Sequence, residues 1–102
     1  EAVQLKLNNA VAGARIRYNA YLQNIGWQGW VYDGAIAGTV GQGLRMEAIS
    51  IRLEGVPSNY HVKYRVHVEG IGWQPWVADE VVAGTTGQAR RIEALEVMVY
   101  RD

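Results

Sequence analysis

The residue types best suited to holding a ligand are indoles flanked by amides, a phenol and carboxylates, and the sequence has two such groups. Trp30 stands close to Gln28, Tyr32 and Asp33; in the second group Trp76 stands close to Gln74 and Asp79. An exposed indole stacks on the apolar CH face of a sugar ring, while nearby amides and carboxylates bond its hydroxyls. The same aromatic face can anchor a protein partner. These residues are the expected ligand-binding set, with carbohydrate the first ligand class and protein the alternative.

Other reactive side chains do not assemble into a recognisable catalytic pattern. His61 and His67 have no counterpart in the first group, where Arg15 and Tyr21 take their places, so no metal site is expected. Ser50 and Ser58, the only serines, lack a nucleophile-elbow context. Asp33 and Asp79 recur, as do Glu47 and Glu93, but each aspartate is separated from its glutamate by a glycine-rich loop. Turn capping for the aspartates and an Arg45–Glu47 pair are the expected roles. The Gly-Thr-x-Gly-Gln segments lack the Lys-Ser/Thr of a phosphate loop. The reading is therefore a non-catalytic chain without a cofactor.

The elements that would position the indoles follow from a repeat. Ile25-Gly26-Trp27-Gln28-Gly29-Trp30-Val31 returns as Ile71-Gly72-Trp73-Gln74-Pro75-Trp76-Val77, an offset of 46 (71 − 25). Residues 1–46 and 47–92 share 17 identities without a gap, and Glu1-Ala2-Val3 returns at Glu47-Ala48-Ile49 and Glu93-Ala94-Leu95. A period of this length marks stacked or ring-closed repeat architectures. Val3, Leu5 and Leu7 alternate with polar residues, as do Ile16, Tyr18, Ala20 and Leu22, and in the second copy Val62, Tyr64, Val66 and Val68. This period of two predicts half-buried strands. Asn24 and Gly70 suit a tight reversal into the tryptophan strand, and the linkers are placed at Asn8 to Ala14 and Glu54 to Tyr60.

Alternation in the tryptophan strand puts Trp27 and Trp30 on opposite faces. Trp27 and Trp73 are expected in the core, Trp30 and Trp76 outside, and Pro75 implies an edge strand or a bulge. The expected fold is all-β: antiparallel sheets, three or four short strands per repeat, in a pseudosymmetric prism-like or propeller-like arrangement, with a trefoil as alternative. One module fills 1–102, with repeats at 1–46 and 47–92 and a closing strand at 93–102.

Ten basic and ten acidic residues balance to zero net charge, which gives no basic stripe for nucleic acid and no attraction to an anionic membrane. No apolar run is long enough for a membrane helix, and no signal peptide opens the chain, so any signal peptide is expected to have been removed or to have lain upstream. Cysteine is absent, which excludes disulfides.

The run from Tyr64 through Gly72-Trp73-Gln74-Pro75-Trp76-Val77, with Ala83-Gly84-Thr85-Thr86-Gly87-Gln88 and Arg91-Ile92-Glu93-Ala94, resembles the clostridial hydrophobic repeat with conserved tryptophan (ChW). The first copy matches through Trp27, Trp30-Val31, Asp33-Gly34, Ala37-Gly38-Thr39 and Gly41-Gln42, departing at Tyr21 where the family often has His. The second departs at Glu80, where Gly usually follows Asp. The resemblance implies a secreted or cell-surface bacterial module that binds cell-wall or other polysaccharide, or protein. Two repeats are too few to close a ring, which leads to the expectation of a closed, symmetric homo-oligomer, dimer or trimer, whose strands complete one another's sheets.

Overall fold

The computed structural model describes residues 2–7 and 12–102. It contains eleven antiparallel strands and no helix among those residues: β1 (Ala2–Val3), β2 (Arg15–Leu22), β3 (Gly26–Trp27), β4 (Val31–Tyr32), β5 (Ala37–Gly38), β6 (Met46–Glu54), β7 (Tyr60–Val68), β8 (Gly72–Trp73), β9 (Val77–Ala78), β10 (Ala83–Gly84) and β11 (Ile92–Arg101). The all-β expectation holds. Each repeat gives five strands instead of three or four, because the tryptophan strand is split in two and the Ala-Gly dipeptide before the glycine turn is itself a strand. Part of the expected Asn8–Ala14 linker, residues 8–11, lies outside the described residues.

β2 and β7 are the central strands, and alternation puts them there. Ile16, Tyr18, Ala20 and Leu22 are buried along one side of β2, and Val62, Tyr64, Val66 and Val68 are fully buried along β7. These side chains and Ile49, Ile51 and Leu53 of β6 form one core, with Val3, Leu5, Leu95 and Val97 packed against it. The reversals at Asn24 and Gly70 are as expected: Asn24 adopts φ 63° and Gly70 φ 77°, and the Ile25 and Ile71 amides donate back to Leu22 and Val68.

The topology makes one strand serve two repeats. β6 runs antiparallel to β2 from Arg15↔Glu54 to Leu22↔Met46. Its other edge takes β10, through Ala48↔Gly84 and Ile49↔Ala83. β11 repeats the first pairing, on β7 from Tyr60↔Arg101 to Val68↔Ile92, and so closes the sheet of the second repeat. β1 repeats only the second pairing, on β5 through Ala2↔Gly38 and Val3↔Ala37. Thus β1, β6 and β11 are three copies of one strand, and β6 alone has both edges paired.

Buried tyrosines lock this arrangement. The Tyr64 hydroxyl accepts from the Ile51 amide at 3.1 Å and donates to the Val81 carbonyl, tying β6 to the turn after β9. Tyr18 does the same one repeat earlier with the Leu5 amide and the Ala35 carbonyl.

Candidate functional site

The tryptophan strand is positioned by its pairing with β2. Tyr21 faces Trp27 and Leu22 faces Gly26; Tyr18 faces Val31 and Arg17 faces Tyr32. Four steps from Trp27 to Val31 therefore lie opposite three from Tyr21 to Tyr18 (31 − 27 against 21 − 18). One residue is extra, and the strand bulges at Gly29, whose φ is 108°. β7 holds β8 and β9 in the same way, with Pro75 at the bulge. Proline has no amide to contribute to a ladder, so it fits where pairing lapses.

The bulge overturns the assignment of Trp27 and Trp73 to the core. Trp27 shares a face with its partner Tyr21, on the outer side of β2, and is 40 % exposed; Trp73, partnered by His67, is 43 % exposed. The extra residue inverts the alternation after it, so Trp30 and Trp76 also face outward. Both indoles of each repeat end on one surface.

On that surface the aromatic rings are interleaved with cations. In the first repeat Arg15 lies over Tyr32 at 3.9 Å and Arg17 over Trp30 at 4.4 Å, while Tyr21 meets Trp27 edge-on. The second repeat carries a continuous ladder. His67 meets Trp73 edge-on, Arg65 lies 4.7 Å from Trp73 and 4.9 Å from Trp76, and Lys63 lies 5.1 Å from Trp76 and 5.6 Å from Tyr100. A cation over a ring face is attracted by the ring quadrupole, an interaction of about 0.5–1 kcal/mol at exposed sites.

The remaining expected residues are largely committed to structure. Gln28 Oε1 accepts the Gly38 amide at 2.7 Å, and Gln74 Oε1 the Gly84 amide at 2.8 Å. Asp33 Oδ1 accepts the Ile16 amide and Asp79 Oδ1 the Val62 amide, fastening each turn to the head of the long strand, which is the turn role expected of them. Arg45 and Glu47 pair at 2.9 Å. Their counterparts do not: Glu93 bonds His67, and Arg91 approaches Glu69.

Where the repeats meet, a cleft of about 240 Å³ opens, lined by Asn19, Trp27, Trp30, Ser50, Glu80 and Val82. Two indoles form one wall; the second repeat's turn supplies the other. Glu80 bonds Arg52 at 2.8 Å and Arg17 at 3.1 Å, and the Ser50 hydroxyl donates to the Glu80 carbonyl. The Arg52 guanidinium, with Arg17 beside it, holds the Glu80 carboxyl below the usual carboxylate range. Ser50, Glu80 and Val82 carried no signal as ligand residues, because they join this cleft only where the second repeat packs on the first; Asn19 lies on β2 beside the indoles and accepts the Gly29 amide at 2.9 Å. A larger cleft, about 410 Å³, lies beside Arg52, Tyr60, His61 and Asp79. It contains no tryptophan, and its His61 is held between Asp79 at 2.6 Å and Asp102 at 3.0 Å.

The chain matches the family described as Clostridial hydrophobic W, ChW, twice, over residues 21–55 and 67–100. No curated protein and no solved structure matches it. Each match runs from the end of one long strand through the tryptophan segment and into the next long strand. The family unit thus straddles the 46/47 boundary and spans the pairing that builds a sheet.

Proposed function

The chain belongs to the ChW repeat family, and from this and the geometry above we propose that it is a non-catalytic binding module of a secreted or cell-surface bacterial protein, with polysaccharide as its ligand. The observation that carries the reading is the bulge. It turns both indoles of each repeat to one outer face, next to a cleft edged by an amide, a hydroxyl and a carboxylate. Rings supply the stacking platform and the polar rim supplies directional bonds to hydroxyls. The binding set is accordingly Trp27, Trp30 and Asn19 of the first repeat with Ser50 and Glu80 of the second, and, at the second tryptophan pair, Trp73 and Trp76. Gln28, Gln74, Asp33 and Asp79 hold this surface in shape.

The two sites are unequal, since only the first has a turn from a following repeat as its second wall. Screening immobilised polysaccharides, followed by tryptophan-fluorescence titration with a soluble oligosaccharide, tests the reading. Binding should be lost on Trp27→Ala with Trp30→Ala, and weakened less by Trp73→Ala with Trp76→Ala. Absence of binding to every polysaccharide, together with a tight protein ligand blocked by the same substitutions, would replace it with the protein-interaction reading.

A further inference from the structure

We infer that the open edge of β11 is a docking strand for a second copy of this chain, which receives it against β5 in the place β1 now holds. The seam inside the molecule is the template. There the edge of β6 is covered by β10 and the turn before it: Thr85 donates to the Glu47 carbonyl, Glu80 to the Ile51 carbonyl, and the Tyr64 hydroxyl meets the Ile51 amide. Every residue from Met46 to Ile51 is buried as a result. β11 carries the same strand one period later and is paired to β7 along its length, but among the described residues its other edge carries no strand. Glu93, Ala94, Glu96, Met98 and Val99 are exposed.

The complementary surface exists on the same molecule. Tyr18, Gly34 and β5 already perform the docking chemistry, on β1 and the residues just after it: the Tyr18 hydroxyl accepts from the Leu5 amide, Gly34 donates to the Leu5 carbonyl, and Ala37 and Gly38 pair with Val3 and Ala2. Val3, Leu5 and Leu7 correspond to Leu95, Val97 and Val99 (offset 92), so β11 offers the core what β1 offers it. Replacing β1 by the like strand of another copy keeps the contacts that β5, Gly34 and Tyr18 make, at the cost of those of β1, and covers the open edge of β11 as well.

Three features at the open edge match what the seam requires. Gly84 lies so close to β6 that an added Cβ would run into the Glu47 carbonyl oxygen and come within 2.9 Å of Ala48 Cα. A small residue is needed beneath it, and β11 keeps one, Ala94, although it is exposed, in a cleft shared with Ala2, Val3 and Met46. Charge agrees as well. At the internal seam Arg17 and Arg52 meet Glu80; at the open edge the equivalent residues are Lys63 and Met98, and the turn they would meet presents Gly34 in place of the carboxylate. Apolar surface agrees too. Val82 lies in the first cleft with Trp27 and Trp30, and its equivalent Ile36 is 50 % exposed, as are Trp73 and Trp76 at 43 % and 38 %. Docking would seat Ile36 of one copy beside the second tryptophan pair of the other and complete a cleft that one chain leaves with a single wall. The contact is head-to-tail: a series of such contacts closes into a ring where the rotation permits and extends otherwise.

Two measurements on the full chain test this. Sedimentation across the micromolar range should show a mass that rises with concentration to at least twice 11.3 kDa. Ala94→Lys, at an exposed position, should keep the circular dichroism spectrum and melting temperature of dilute protein yet remain monomeric. Separately prepared Ala37→Cys and Leu95→Cys proteins, mixed and mildly oxidised, should give a disulfide-linked heterodimer in several-fold excess over the homodimers. A parent chain that stays at 11.3 kDa throughout, an Ala94→Lys protein that assembles like the parent, or a mixture without excess heterodimer would each overturn the proposal.

Discussion

β6 and β11 carry the same motif at the same repeat position, Glu47-Ala48-Ile49 and Glu93-Ala94-Leu95, yet one is buried on both edges and the other on one. Their own residues do not account for the difference. Ile49 is fully buried because β10 crosses beside it, whereas Leu95, paired to β7 just as Ile49 is paired to β2, remains half-buried. Burial in a repeat protein is a property of the neighbour as much as of the strand, and stability becomes a sum of repeats and the interfaces between them.

The comparison is broken most forcefully by truncating both strands at the equivalent position. Ile49→Ala empties a site with no solvent route and should cost about 3 kcal/mol. Leu95→Ala, measured in dilute protein, should cost roughly 1 kcal/mol, since a half-exposed side chain gives up less on truncation. Urea denaturation of the two variants measures the gap, and equal losses would show that β11 is already covered in solution.

A smaller effect separates the two tyrosines. Tyr64→Phe leaves the Ile51 amide buried without its acceptor and should cost about 1–2 kcal/mol. Tyr18→Phe frees the Leu5 amide in a half-exposed segment just after β1, where water can replace the hydroxyl, and should cost about 0.5 kcal/mol. Thermal melts of the two single variants decide this.

The smallest effect is in pH. Hydrogen bonds to Asp79 and Asp102 raise the His61 pKa above its ordinary value. A folded-state value above the unfolded one stabilises fully below the unfolded pKa, about 6.5, and the contribution fades as pH rises through the folded value. The parent's melting temperature should therefore exceed that of His61→Gln in mild acid by a degree or two, and the difference should vanish at alkaline pH. The first repeat has Arg15 at this position and should add no such dependence.

Much of the fold was legible because alternation is local. The inward residues of β2 and β7 could be read from period two alone, as could the reversals at Asn24 and Gly70. The orientation of the indoles was not, because it depends on a count of residues against a partner strand, and one extra residue inverts every side chain after it. Pro75 was the signal: a residue that cannot donate to a ladder implied a bulge, but only the register showed that the bulge falls between the two tryptophans. Gln28 and Gln74 looked like ligand amides for a similar reason. Their partners, the Gly38 and Gly84 amides, lie ten residues away across a turn whose path the sequence does not specify. Glu80 was visible as a departure between the copies, and its two arginine partners, Arg17 of the first repeat and Arg52 of the second, explain why a carboxylate stands there.

The Tyr64 hydroxyl joins an amide of β6, in the sheet built on β2, to a carbonyl of the turn after β9, in the sheet built on β7, and this has a consequence for how the molecule opens. Local unfolding proceeds in contiguous cooperative units, and this bond spans the boundary between two of them. The Ile51 amide is held by a hydroxyl that the Val81 carbonyl holds in turn, so its deuterium uptake should rise when residues thirty positions further along the chain loosen. The Leu5 amide answers in the same way to the Ala35 turn through Tyr18. Two backbone protons thus serve as built-in gauges, one for each repeat, of which end of the chain frays first.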